Sequence, residues 1–282
     1  MSRLLLASLA ALVLVACGRK EEAPPESFTP EKVAGANGGA RDKIGRIYHY
    51  VRTNVDGSDP EDVYVFRKKI DHLQVYKAKQ KCTNAAFVTA DLDMERGYAK
   101  KLVGGRLTRQ GLHEKFAYLD YDPATRKISA RIELEGREPL LASVTVEKEP
   151  WHLYDFDFAS LTVMTPHLAD PRAGFSFGLP LVVADPNRTD FLIYLGEAEA
   201  TFRSEDERAG RKALKFSLGG PAFGSFGGNL WLDAAEGHIL DVETGFPNHL
   251  EYVDFKLELR GVDDGGETQW AKLLREHFEG CK

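Results

Sequence analysis

The chain is poor in cysteine: three in 282 residues, too few for a disulfide-dense scaffold or a four-thiolate zinc centre. It also lacks a basic excess. Its 37 Lys and Arg face 43 Asp and Glu, a net charge of −6, which argues against a nucleic-acid partner. The apolar run at residues 4–16 falls short of the about 20 residues that a spanning helix needs. With 26 Gly and 13 Pro the chain is turn-rich without being low in complexity, and 43% hydrophobic residues exclude disorder along its whole length.

The amino terminus carries the sharpest signal. Arg3 supplies a basic start, and residues 4–16 form the apolar stretch of a secretory signal. That stretch ends in Leu14-Val15-Ala16-Cys17. The pattern resembles a bacterial lipobox, in which small residues precede a cysteine that receives a lipid. The resemblance implies cleavage after residue 16, a lipid anchor on Cys17, and retention at the membrane by two or three acyl chains. Gly18 stands where Asp would direct retention at the inner membrane, so the resemblance implies the outer membrane, facing the periplasm. Residues 17–42 read as the anchor and a flexible tether, being polar, proline-containing and without period. Residues 43–282 read as one folded domain.

Cys82 and Cys281 remain once Cys17 is lipidated. An even pair in an oxidising compartment is expected to form a disulfide, with two free thiols as the alternative.

Alternation with period two dominates the body. Ile128, Ala130, Ile132 and Leu134 oppose Ser129, Arg131 and Glu133; Val253, Phe255, Leu257 and Leu259 oppose Asp254, Lys256, Glu258 and Arg260. Such strands suit antiparallel sheets with one wet face. Turn residues separate them at 56–60, 122–125, 205–210 and 234–237. About eleven strands are expected, then an amphipathic helix over 267–279 carrying Trp270, Leu273, Leu274 and Phe278. Residues 151–183, interrupted by Pro166, Pro171 and Pro180, read as a crossing loop. The expected fold is mainly β: a single strongly curved antiparallel sheet or incomplete barrel with a C-terminal covering helix. That architecture resembles periplasmic lipoprotein carriers and receptors built around an apolar hollow. The resemblance transfers no functional residues.

Candidate sites follow from residue type and spacing. On strand 190–203, Leu192, Tyr194, Gly196, Ala198, Ala200 and Phe202 share a face with small residues at its centre. This suggests a hollow lined by Leu192, Tyr194, Phe202, Leu214 and Phe216, or tight packing against a neighbouring element. Gly174-Phe175-Ser176-Phe177-Gly178 matches a nucleophile elbow, but no helix signal follows it. The glycine-rich stretch 219–228 lacks the lysine of a phosphate-binding loop and presents Phe223 and Phe226 for a partner. His238, Asp241 and His249 could assemble around a metal, although a half-buried histidine is the plainer reading. Asp91 with Asp93, and Asp155 with Asp157, are carboxylate pairs two residues apart.

The expected function is non-catalytic: a membrane-anchored periplasmic lipoprotein that binds an apolar or lipid-like ligand, with no cofactor. The alternatives are an envelope assembly protein that binds a protein partner, and a hydrolase.

Overall fold

The computed structural model describes residues 41–183, 185, 188 and 190–282. The signal segment, Cys17 and the tether up to residue 40 lie outside the described residues. Fourteen strands follow one another along the chain: β1 (Ile47–Thr53), β2 (Glu61–Lys69), β3 (His72–Ala78), β4 (Ala86–Asp93), β5 (Tyr98–Leu107), β6 (His113–Asp122), β7 (Lys127–Ile132) and β8 (Leu140–Thr145) form the first half. After a crossing that contains the helix α1 (Ala159–Met164) come β9 (Phe175–Val182), β10 (Leu192–Arg208), β11 (Arg211–Gly219), β12 (Gly228–Asp233), β13 (Ile239–Thr244) and β14 (Phe255–Asp263), then the helix α2 (Gly266–Glu276).

All fourteen make one antiparallel sheet in the order β8-β7-β6-β5-β4-β3-β2-β1-β14-β13-β12-β11-β10-β9. Each half is an up-and-down meander, and β1 pairs β14 where the halves meet. The outer strands β8 and β9 do not pair, so the sheet is not a closed barrel. The chain beyond β8 instead touches β9 through a single parallel bridge between Trp151 and Gly178. There the His152 N–H donates to the Gly178 carbonyl at 2.9 Å, and the Gly178 N–H donates to Pro150 at 2.8 Å.

Alternation along β1 shows how both faces are used. Tyr48, Tyr50 and Arg52 point to the inner face; Ile47 points outward. The outer cluster joins Ile47, Phe66, Tyr76 and Phe87 to Trp270 and Leu274 of α2, with the Phe66 and Trp270 rings 5.1 Å apart. A disulfide joins Cys82 to Cys281 across 199 residues and pins the segment after α2 to the β3–β4 turn. Closing so long a loop restricts the unfolded chain by up to about 5 kcal/mol. Replacing both cysteines with serine is therefore expected to lower the urea midpoint well below that of the parent, and an unchanged midpoint would refute the role assigned to this bond.

The inner face is covered by the crossing itself. Residues 151–168 are buried with the exception of Asp155, including Trp151, Tyr154, Phe156, Phe158, Leu161, Val163 and Met164. Short helical turns let this segment satisfy much of its own backbone hydrogen bonding away from water. The segment does cross between the two halves of the sheet as expected, but as an internal plug, and β9 takes residues 175–182 of the stretch read as a loop.

The sheet architecture and the covering helix match the expectation, with three differences. The described residues form fourteen strands where about eleven were expected. β10 continues through Glu205, Asp206, Glu207 and Arg208 because the turn needs only Ala209 and Gly210, both at positive φ. Arg41 and Asp42, assigned to the tether, belong to the folded body: Asp42 is buried against Arg67 at 2.8 Å and His167 at 2.9 Å. Among the described residues no helix is long and apolar enough to cross a membrane.

Candidate functional site

The plug does not fill the whole hollow. A cavity of about 280 Å³ lies between it and the inner face of β4–β7. Register explains the space. Val88 lies opposite Gly104, Gly104 opposite Ala117, and Ala117 opposite Ile132. Ala86 and Ala130 complete a patch of small side chains on neighbouring strands. Leu102, Leu119, Leu153, Phe156, Val182 and Phe191 supply the larger apolar walls. A mostly apolar, partly enclosed hollow with a few convergent polar groups is the usual form of a small-molecule site.

The polar groups sit together at one wall: Lys77, Asp155 and His249. Behind them lies a buried ion cluster. Asp157 accepts from Arg52 at 3.1 Å, from Asn248 at 2.6 Å and from Lys77. Arg52 also pairs with Glu61 and lies 4.6 Å from the centre of the Tyr252 ring. Burial opposes the charge on Asp157, but Arg52 and Lys77 outweigh it and hold the carboxyl well below its ordinary range. Asp155 has no such cation on its carboxyl. Burial pushes it up to about 6, and the Val182 N–H at 3.0 Å and the charge of Lys77 partly offset that. His249 is kept neutral by burial and by the neighbouring Lys77 and Arg52, and its Nε2 meets the Asp155 carbonyl at 3.1 Å.

These ionisations set a pH dependence. Burial also lowers His113 to about 4, His152 to about 3 and His238 to about 4. Below about pH 6.5 the unfolded chain protonates these four histidines and the folded chain does not. Asp155 and Asp241, both raised to about 6 by burial, and Glu61, also raised, act in the opposite sense. The histidines outnumber them, so unfolding takes up protons between pH 6 and 5 and stability falls on acidification. Urea unfolding at pH 7 and pH 5 checks this: a lower midpoint at pH 5 is expected, and a higher one contradicts it.

The residues singled out from sequence are scattered relative to this cavity. Leu192, Tyr194, Phe202, Leu214 and Phe216 do not line it. Leu214 and Phe216 are core, with Phe216 between Phe175 and Phe202 at 5.6 Å from each ring. The small centre of that strand is filled: Ala198 faces Phe177, Ala200 faces Phe175, and a bulge carries Gly196 against Pro221 and Ala222. Phe223 is buried and only Phe226 is exposed. Ser176 is buried in β9 with no histidine hydrogen-bonded to it, while the nearby His152 Nδ1 pairs with Ser160 at 2.9 Å. Asp155 and Asp157 are not a strand pair, because Asp157 turns the chain at φ 50 and is locked by its cations. Asp91 is exposed and pairs with His72, and Asp93 caps the following turn.

His238, Asp241 and His249 fall into three separate polar sets. Asp241 pairs with Arg208 at 2.7 Å, and His249 belongs to the cavity wall. His238 instead meets Asp233 and Glu236, whose donor atoms and its own lie within 4.8 Å of one another. Those carboxylates are already taken. Arg211 holds Asp233 at 2.7 Å, while Lys43 and Arg46 hold Glu236 at 3.0 and 2.9 Å. Three cations around two carboxylates make a poor seat for a metal ion and a good clasp between the start of the body and the β12–β13 turn.

No family model matches the chain, and no curated protein matches it. Among solved structures it is similar to a porin-like protein from Bacteroides uniformis, with 8% identity over 78% of this chain and 96% of that one. The TM-score of 0.19 gives that likeness no weight in the argument.

Proposed function

We propose that this chain is an outer-membrane-anchored lipoprotein, facing the periplasm, that holds one apolar chain in the cavity between the plug and β4–β7 without catalysing a reaction on it. The observation that carries the binding reading is the cavity itself: Gly104 and Ala117, opposite each other on β5 and β6, with Ala86 and Ala130 on the strands to either side, leave an apolar space that interiors ordinarily fill. Its size, near the lower end of the about 300–1,000 Å³ typical of ligand sites, suits a single aliphatic chain better than a diacyl lipid. The lipobox-like ending at Cys17 supports the anchor, and the disulfide suits an oxidising compartment.

The distribution of exposed apolar residues supports the same reading. Of the eight large apolar side chains exposed among the described residues, seven lie at the cavity's end of the sheet: Val55, Leu112, Phe116, Leu141, Phe226, Leu250 and Val253. The chain enters the body at the opposite end, where Arg46 pairs with Asp264 and Glu236. This apolar rim also favours the second reading, an envelope protein partner that docks at that end.

The test uses residues 18–282, exported behind a cleavable signal, which keeps every residue of the described body. Titration with N-phenyl-1-naphthylamine should give saturable fluorescence at one probe per chain. A signal that rises linearly without saturation would remove the cavity as a binding site.

A further inference from the structure

We propose, resting on the cavity-binding reading above, that the occupant is a single-chain amphiphile with a cationic, hydrogen-bond-donating head, a protonated amine, seated against Asp155 and His249.

The polar wall joins the Lys77 ammonium to Asp155 and His249. The Asp155 carboxyl receives the Val182 N–H at 3.0 Å; among the described residues no side chain hydrogen-bonds to it, and Lys77 acts on it only through its charge. Lys77 is the nearest cation, but its ammonium is spent elsewhere: on the Asp155 carbonyl at 2.7 Å and on the Asp157 carboxylate. A carbonyl only accepts, so the His249 Nε2 that meets it carries the proton. In the neutral ring Nδ1 then keeps its lone pair, and no described group hydrogen-bonds to it. The wall therefore offers the Asp155 carboxylate, beside a neutral His249 whose Nδ1 holds no hydrogen bond to a described residue.

Charge balance gives the same sign. Arg52 and Lys77 are matched by Asp157 and Glu61. An ionised Asp155 is a further negative charge; Glu251, 4.0 Å from Arg52, is offset by Lys79 over the same Tyr252 ring. A carboxylate ligand would bring a further anion beside Asp155 and would meet there only Lys77, already bonded to the Asp155 carbonyl and the Asp157 carboxylate. An ammonium ion would neutralise Asp155 and donate to its carboxylate beside His249. The apolar walls, led by Leu102, Leu119, Ile132 and Phe191, would take its chain.

The test compares decylamine, decanol and decanoate binding to residues 18–282 at pH 7 by calorimetry, below the micellar concentration of each. Decylamine should bind at least tenfold more tightly than decanoate. Asp155→Asn, which keeps the side chain's shape, should weaken decylamine at least tenfold while leaving decanol within threefold, with unchanged near-ultraviolet circular dichroism as the check on folding. Decanoate binding as tightly as decylamine would overturn the amine head and leave the cavity reading standing. A decylamine preference that survives Asp155→Asn would overturn the role of Asp155. Failure of all three probes to bind would overturn the cavity reading itself.

Discussion

Replacing Asp157 with asparagine is expected to destabilise the folded chain by about 3–5 kcal/mol at pH 7, the cost of stranding buried charges whose partner has gone. Arg52 and Asp157 are almost fully buried, as is Lys77. Asparagine fits the left-handed backbone at φ 50 as well as aspartate does and can still accept hydrogen bonds, so the loss falls on charge rather than on shape or turn geometry. Two cations would then share Glu61 and backbone carbonyls. Urea unfolding measures the effect. The exposed Arg106–Glu114 pair serves as the contrast, and Glu114→Gln should produce no comparable loss. A midpoint for Asp157→Asn close to the parent's would show that the ion cluster does not hold the plug.

Filling the cavity should abolish binding while leaving the fold intact. Val88 projects from β4 into the space over Gly104, and a phenyl ring there would occupy the volume proposed for the ligand. Val88→Phe is expected to weaken N-phenyl-1-naphthylamine at least tenfold, a change of about 1.4 kcal/mol or more. Thermal stability should remain equal to the parent's or rise, because a void is filled rather than a packed region overfilled. Ile132→Trp reaches the same space from β7 and guards against one variant's misfolding. Undiminished binding in both variants, with both folded, would place the probe elsewhere.

Much of the architecture was legible because its causes are local. Alternation in β7 and β14, the Asp122 cap on Ala124 and Thr125, and the Asp233 cap on Ala235 and Glu236 act within a few residues. So does the apolar stripe of α2. The cavity was not legible, because it is a product of register. Gly104 and Ala117 are unremarkable one strand at a time and make a hollow only when the ladder sets them opposite each other, with Ala86 and Ala130 on the strands to either side. Strand 190–203 showed the opposite error. Its small residues looked like an opening, yet each faces a phenylalanine of β9 or the 220–222 turn. Small residues in one strand report a hollow only if the partner strand is small as well. The Asp155 and Asp157 pair was visible in the sequence, but the differing roles of its members depend on Lys77 and Arg52, about 80 to 105 residues away along the chain.

The central claim is that the cavity holds an apolar ligand in the cell. Native mass spectrometry of residues 18–282 purified from the periplasm, followed by solvent extraction, addresses it directly. A mass above that of the chain, released by extraction and absent from Val88→Phe, is the predicted result. A clean unliganded mass for parent and variant alike would contradict it and turn attention to the apolar rim and a protein partner.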